Sequence, residues 1–266
     1  MIQYSNFKMI KKIISVVFLF LLLIAFKPFM GCKKIVIEKP GLNTDTTPSV
    51  LDCKTFQDPT KKFFIDVPNL GFEVWKMSAS KKYEDPEPSC FWTTPNRSRD
   101  IINAIPATVF KVGGDSAYSG KYAAMIKTGK WAGLIMSGTI AAGSFSPNLS
   151  NPLQSISFGK PFKKRPKSIS GYYKYYSVEG DSCSVYCFVT KQKTVSGKKV
   201  IDTLGFANMI TSETKTTYTK FDLPLTYKTN ENPDRLVVYF SSSEAGDELK
   251  GQAGSTMFID EVKILY

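Results

Sequence analysis

The chain has 266 residues, of which 42% are hydrophobic and 22% charged, and a formal net charge of +12. That length supports one well-buried domain, and the basic balance favours anionic partners such as a membrane surface, lipopolysaccharide, an acidic glycan or nucleic acid. The absence of histidine excludes a Ser-His-Asp triad, a Cys-His pair, an HExxH zinc site and an imidazole proton shuttle. Glycoside hydrolysis by two carboxylates survives this filter, but no spacing of the acids selects a pair. "KVGGDSAYSG" lacks the lysine that would make it a phosphate-binding loop.

In chain order, Lys8, Lys11 and Lys12 precede an apolar run from Ile13 to Phe26, and Phe29-Met30-Gly31-Cys32 follows. The run is short for a membrane span of roughly 20 residues and fits a signal peptide over 1–31. Glycine followed by cysteine at that seam resembles the lipobox of bacterial lipoproteins, which implies lipid on the Cys32 sulfur and cleavage before it. The alternatives are an ordinary signal peptide with a chance cysteine, or an uncleaved anchor. Acyl chains contributing about 0.8 kcal/mol per buried CH₂ would hold the protein on a membrane. The leader's four lysines carry four of the charges, leaving +8 from Cys32 onward. An envelope address removes nucleic acid from the partners. Lys33 and Lys34 follow the cysteine and the first acid is Glu38, so the reading is an outer-membrane lipoprotein whose surface or periplasmic face stays open.

Residues 32–60, including "EKPGLNTDTTPS", have no apolar periodicity and read as a flexible linker. From 61 to 266 the signals are β: short runs of Tyr, Phe, Val and Ile separated by Gly, Pro, Asn and Asp. "KYAAMIKT" sets Tyr122, Ala124 and Ile126 against Lys121, Met125 and Lys127. "SISGYYKYYSV" sets Ile169, Gly171, Tyr173 and Tyr175 against Tyr172, Lys174 and Tyr176. "DSCSVYCFVT" sets Cys183, Val185, Cys187 and Val189 against Tyr186 and Phe188, and "RLVVYFSS" sets Leu236, Val238 and Phe240 against Val237, Tyr239 and Ser241. "TMFIDEVKILY" closes the chain as a strand. The expected fold is an all-β, two-sheet antiparallel sandwich, jelly-roll-like.

With Cys32 lipidated, Cys53, Cys90, Cys183 and Cys187 allow three complete pairings. Cys183 and Cys187 lie on one strand about 13 Å apart at 3.3 Å per residue, so they cannot bond to each other and read as small buried hydrophobes.

"GDSAYSGKYAAMIKT" resembles a strand of jelly-roll carbohydrate-binding modules. "SFGKPFKKRPKSISGYYKYYSVEGDSC" and "PDRLVVYFSSSEAGDELKGQAGSTMFIDEVKILY" resemble, in order, the central and C-terminal motifs of the putative carbohydrate metabolism domain, a family of Bacteroidetes envelope proteins. The resemblance runs from about Phe91 to Tyr266. It implies a lipid-anchored β-sandwich serving polysaccharide use; it leaves both the activity and the sugar open.

Sugars are held by aromatic faces with a few polar groups. Tyr172, Lys174, Tyr176, Tyr186 and Tyr239 occupy the non-core phase of three predicted strands, and if those strands adjoin they form one ligand-binding sheet face. The expectation is that Tyr172, Tyr176 and Tyr239 show their rings to solvent on a single sheet. The alternative is that loops cover that face, or that these tyrosines are core. Trp92 and Trp131, with Trp75, are the other candidate platforms. "GFEVW" and "FIDEV" resemble paired segments that hold a structural calcium in some jelly-roll modules, which implies Glu73 and Asp260 as carboxylate ligands with Asp115 or Asp247 nearby. The alternative is that Asp260 only hydrogen-bonds the strand end; no other cofactor is expected. "KPFKKRPK" reads as a solvated basic loop, or functionally as a contact for an anionic glycan or lipid headgroup, with Phe162 tucked inward. The preferred function is non-catalytic binding of a polysaccharide or oligosaccharide. A hydrolase or lyase using carboxylates and an accessory subunit of an outer-membrane glycan importer are the alternatives.

Overall fold

The computed structural model describes residues 66–148 and 155–266. The leader 1–31, Cys32, the 32–60 linker and Cys53 lie outside the described residues. The strands are β1 (Trp75–Met77), β2 (Glu84–Pro86), β3 (Trp92–Thr93), β4 (Val109–Gly113), β5 (Tyr122–Lys127), β6 (Gly129–Trp131), β7 (Leu134–Met136), β8 (Thr139–Phe145), β9 (Ile156–Phe158), β10 (Lys160–Pro161), β11 (Ser168–Tyr176), β12 (Cys183–Val195), β13 (Lys198–Thr211), β14 (Lys215–Pro224), β15 (Thr226–Tyr227), β16 (Arg235–Ser241) and β17 (Thr256–Leu265). The larger sheet has eight strands, ordered β15-β13-β12-β16-β8-β3, with β10 added on β16 and β9 on β8. The smaller has five, ordered β14-β11-β17-β5-β4. Two-stranded pairs β1-β2 and β6-β7 stand apart. Every pairing is antiparallel, and the architecture is a jelly-roll β-sandwich.

Alternation along the strands builds the core. Ile169, Tyr173 and Tyr175 of β11 with Met257 and Ile259 of β17 face Val185, Cys187, Leu236, Val238 and Phe240 of the larger sheet in one buried cluster. Each such side chain contributes about 1.5–3 kcal/mol by leaving water. Gly171 belongs to this inward row, and a Cβ there would sit 2.8 Å from the Phe221 ring, so only glycine lets β14 approach. Cys183 and Cys187 are free and buried as expected, and Phe162 is fully buried. Cys90 is disulfide-bonded.

The three consecutive serines near the C-terminus close one end of the sandwich. Thr128 Oγ1 lies 2.7 Å from Ser242 Oγ and 2.6 Å from Ser243 Oγ, and Ser137 Oγ lies 2.7 Å from Ser241 Oγ. The Tyr175 hydroxyl donates to the Ser242 carbonyl at 3.1 Å. Hydroxyls at this buried junction tie the β5–β6 and β7–β8 connections and β11 to the end of β16, where apolar side chains would leave backbone carbonyls unpaired.

Between β11 and β12 the chain changes sheet. Glu179 and Gly180 take positive φ, 48° and 77°, and Ser177 Oγ donates to the Asp181 carbonyl at 2.7 Å. This crossing overturns one expectation. Tyr172 and Tyr176 lie on β11 of the smaller sheet, whereas Tyr186 and Tyr239 lie on β12 and β16 of the larger. The inward–outward phase of each strand is as expected, but the strands do not adjoin, so the tyrosines divide between two opposite outer faces. Trp92 is a second correction. It is fully buried, packs 5.0 Å from Phe91 and 5.8 Å from Phe72, and donates its indole N–H to the Pro68 carbonyl at 2.9 Å. It is a core plug and offers no ring to a ligand.

Candidate functional site

The outward face of the larger sheet carries a row of aromatic rings. In register, Tyr186 of β12 lies opposite Tyr239 of β16 and Asn208 of β13, while Phe188 lies opposite Val237 and Phe206. Ring centroids are 5.6 Å apart for Phe158–Tyr239, 5.9 Å for Tyr239–Tyr186, 6.0 Å for Tyr186–Phe206 and 6.3 Å for Phe188–Phe206, all tilted or edge-to-face. These spacings suit aromatic pairs. The row therefore crosses β9, β16, β12 and β13. Its two ends are open: Phe158 is 43% and Phe206 39% exposed, with the rings between them half-buried.

β9 and β10 make this row possible. β9 pairs with β8 at Gly143–Phe145, and β10 pairs with β16 at Arg235 and Leu236. Gly159 joins them at φ 90°, where a Cβ would lie 3.2 Å from Val237. The segment so placed brings Phe158 over Tyr239.

Along one flank of the row a 3₁₀ turn, Glu244–Glu248, supplies carboxylates. The Tyr186 hydroxyl donates to Glu244 Oε1 at 3.3 Å. Burial, then the Glu244 charge and that hydrogen bond, push the Tyr186 phenol up to about 12. Burial likewise raises the Tyr239 phenol, and the Asp247 and Glu244 charges add to it. Both phenols are therefore neutral hydrogen-bonding groups at physiological pH. Ser184, on the same outward phase as Tyr186, is buried, and its hydroxyl has no partner among the described residues.

The outward face of the smaller sheet differs. Tyr118 lies on Tyr172 with centroids 3.8 Å apart and planes at 15°, and Tyr218 meets Tyr118 edge-on at 5.4 Å. The Lys174 ammonium sits 4.6 Å from the Tyr218 centroid and 4.7 Å from that of Phe258. Tyr176 meets Phe258 edge-on at 6.0 Å and is 39% exposed. The π-faces here are covered by one another and by a cation, so Tyr172 and Lys174 form a self-contained cluster. Trp131 is half-buried and lies in the β6-β7 pair, off both sheets.

Glu73 and Asp260 converge on one loop. Asp260 Oδ2 accepts the N–H groups of Tyr118 at 2.8 Å and Ser119 at 3.1 Å, and Oδ1 accepts that of Glu261 at 2.7 Å. Glu73 accepts the Lys121 N–H with both oxygens, at 3.0 and 3.1 Å, and the Tyr122 N–H more weakly. Burial raises the Asp260 carboxyl, and the three N–H donors oppose that. The carboxylates are thus turned to amide donors. Among the described residues no group of three or more acidic or cysteine side chains could hold a metal. Asp247 lies by Tyr239, not here. This arrangement does not fit the calcium shell of 6–8 oxygens; the two acids clamp the loop.

The basic stretch is structural in part. The Arg165 guanidinium lies 4.0 Å from the Tyr227 ring centroid and donates to the carbonyls of Thr229, at 2.8 Å, and Glu231. The Lys164 ammonium lies 4.4 Å from the Tyr266 centroid.

Of the site residues expected from sequence, Tyr186 and Tyr239 come together in the open row. Phe158, Phe206 and Glu244 were missed. Phe206 alternates with Asn208 and Ile210 in a run that carries a strand signal; Phe158 had none, because its place depends on the pairing of β9 with β8.

The fold is a jelly-roll domain with an open aromatic row on its larger sheet. The chain belongs to the putative carbohydrate metabolism domain family, whose model matches residues 65–265. Among solved structures it is similar in fold to a protein described as a putative glycoside hydrolase from Bacteroides thetaiotaomicron, with TM-score 0.60 and 22% identity over 74% of this chain and 70% of that one. A putative glycoside hydrolase from Bacteroides vulgatus is similar at TM-score 0.60 and 19% identity, over 73% of this chain and 96% of that one. No curated protein matches the chain.

Proposed function

We propose that this is a lipid-anchored cell-envelope protein that binds a polysaccharide or oligosaccharide along the outward aromatic row of its larger sheet, without turning it over. The row itself carries the reading: five rings across four strands, open at both ends, bordered by the acceptors Glu244 and Asp247. Aromatic faces take the apolar faces of sugar rings, and a few polar groups fix orientation. Family membership supports a role in carbohydrate use, and the absence of histidine removes the commonest general acid–base group. Retardation of the domain in native gels containing a glycan panel tests the reading. Tyr186→Ala and Phe206→Ala should abolish retardation on any glycan that the wild type binds; unchanged retardation in both would move the site elsewhere.

The lipid anchor rests on Gly31-Cys32 after the apolar run. Cys32→Ala should abolish palmitate labelling and leave uncut precursor. Normal labelling and maturation of that variant would refute it. Association with an outer-membrane glycan importer follows from the same address and is checked by co-purification from envelope fractions. A second reading, hydrolysis, is favoured by Glu244 at the edge of the row. Release of reducing sugar from a retained glycan, lost in Glu244→Gln, would replace binding with catalysis.

A further inference from the structure

The row has a different chemistry on each flank. Glu244 and Asp247 border one flank, beside Tyr186 and Tyr239, and Arg235 borders the other. Arg235 lies opposite Thr190 of β12 and Pro161 of β10. It is two residues before Val237 and four before Tyr239, so it shares their outward side. The step from Val237 to Arg235 is about 7 Å at 3.3 Å per residue, which sets Arg235 one rank beyond Phe188–Val237–Phe206.

Arg235 is exposed, and its fork is held without being neutralised. Nη1 donates to the Gly159 carbonyl at 2.9 Å, the same glycine whose positive φ places Phe158. That bond leaves Nε and Nη2 without a partner among the described residues. The acids nearest in sequence face other donors. Asp234 Oδ2 accepts the Gln192 N–H at 2.9 Å and its Oδ1 is buried with no partner among the described residues, while Glu231 pairs with Lys191 and Lys193, both at 2.8 Å. Lys160, opposite Leu236 on β10, shares the inward side of that residue and stands off the row. Arg235 itself makes no ion pair among the described residues.

We propose that the glycan held on the row is acidic, and that Arg235 takes its anionic substituent — a uronate carboxylate or a sulfate ester. This rests on the row being the sugar site. A guanidinium with two free adjacent N–H donors matches two oxygens of one anion, and such a bidentate pair is stronger and more directional than a neutral hydrogen bond. The acids on the opposite flank repel a second charge, so the ligand lies along the row with its anionic substituent turned to Arg235 and its hydroxyls turned to Glu244.

Native gels containing polygalacturonate, alginate, methyl-esterified polygalacturonate or dextran sulfate test this. Retention by polygalacturonate or alginate should be about tenfold stronger than by the methyl ester, and Arg235→Gln should erase that difference. If a sulfate ester is the natural group, dextran sulfate is retained instead, and Arg235→Lys, which keeps the charge but not the fork, preserves that retention while losing any uronate preference. Retention by none of the three anionic polymers, equal retention by the methyl ester, or an unaltered Arg235→Gln overturns the proposal. The underlying reading fails separately: if Tyr186→Ala and Phe206→Ala leave retention intact, the row is not the site. If they abolish it while Arg235→Gln has no effect, only the acidic-glycan assignment falls.

Discussion

Tyr186 and Tyr239 face each other across the β12–β16 ladder with ring centroids 5.9 Å apart, although 52 intervening residues separate them along the chain. Antiparallel pairing puts directly opposed side chains on the same face and within contact, and this pair is the centre of the outward aromatic row. Tyr175, by contrast, is buried between the sheets with its hydroxyl on Ser242. Tyr186→Ala should cost little more than its one hydrogen bond, about 1 kcal/mol, while Tyr175→Ala should cost about 3–5 kcal/mol as a large core truncation. Tyr176→Ala should resemble Tyr186→Ala in stability. Thermal melting of the three variants checks this; a large drop for Tyr176→Ala would place that ring in the core.

The loop clamp gives a second test. Gly120 has φ 64°, and a Cβ there would lie 2.1 Å from Glu73 Oε1. Gly120→Ala should therefore destabilise by about 2 kcal/mol through backbone strain and displacement of Glu73. Because the carboxylates hold amides, calcium and EDTA should both leave the melting temperature of the wild type unchanged. A rise with calcium would reveal an ion bound to the folded state and reinstate the metal reading.

The β12–β13 ribbon should loosen in acid. Hydrogen bonds from Lys191 and Lys193 lower the Glu231 carboxyl from 4.5 to about 2. A folded value below the unfolded one means that the contribution is present above 4.5 and is lost as pH falls toward 2. The groups are partly exposed, so the effect is small and screened by salt. Amide protection factors at Gln192 and Ile201 should fall across that window at low salt. Glu231→Gln should remove the pH dependence; if it persists in that variant, another acid is responsible.

The two free cysteines should be inert in the native state. Burial pushes the thiols of Cys183 and Cys187 up to about 12, and the thiolate is the reactive form. Alkylation at pH 8 should leave both unmodified until denaturant is added. Labelling of either in the folded protein at a rate comparable to a free thiol would show that β12 opens.

Much of the fold was legible in local pattern. The period of two placed Ile169, Tyr173 and Tyr175 inside and Tyr172, Lys174 and Tyr176 outside, and it did the same for Cys183, Val185 and Cys187 against Tyr186. Phe162 between two basic clusters read as inward and is buried. Such alternation is a property of each strand's own backbone, so it survives ignorance of the partner. Trp92 was less tractable because a two-strand-residue element carries too short a pattern to show a phase.

What tertiary structure alone decided is which strands are neighbours. β11 and β12 are consecutive, but the turn through Glu179 and Gly180 sends them to different sheets, so Tyr172 and Tyr239 end on opposite sides of the molecule. Pairing is set by hydrogen bonds between segments distant in sequence and by the closing of two sheets on one core. No periodicity within a strand encodes that choice. The same holds for Phe158 and Arg235: their side chains are ordinary surface residues by sequence, and Phe158 joins the aromatic row and Arg235 flanks it only because β9 pairs with β8 and β10 with β16.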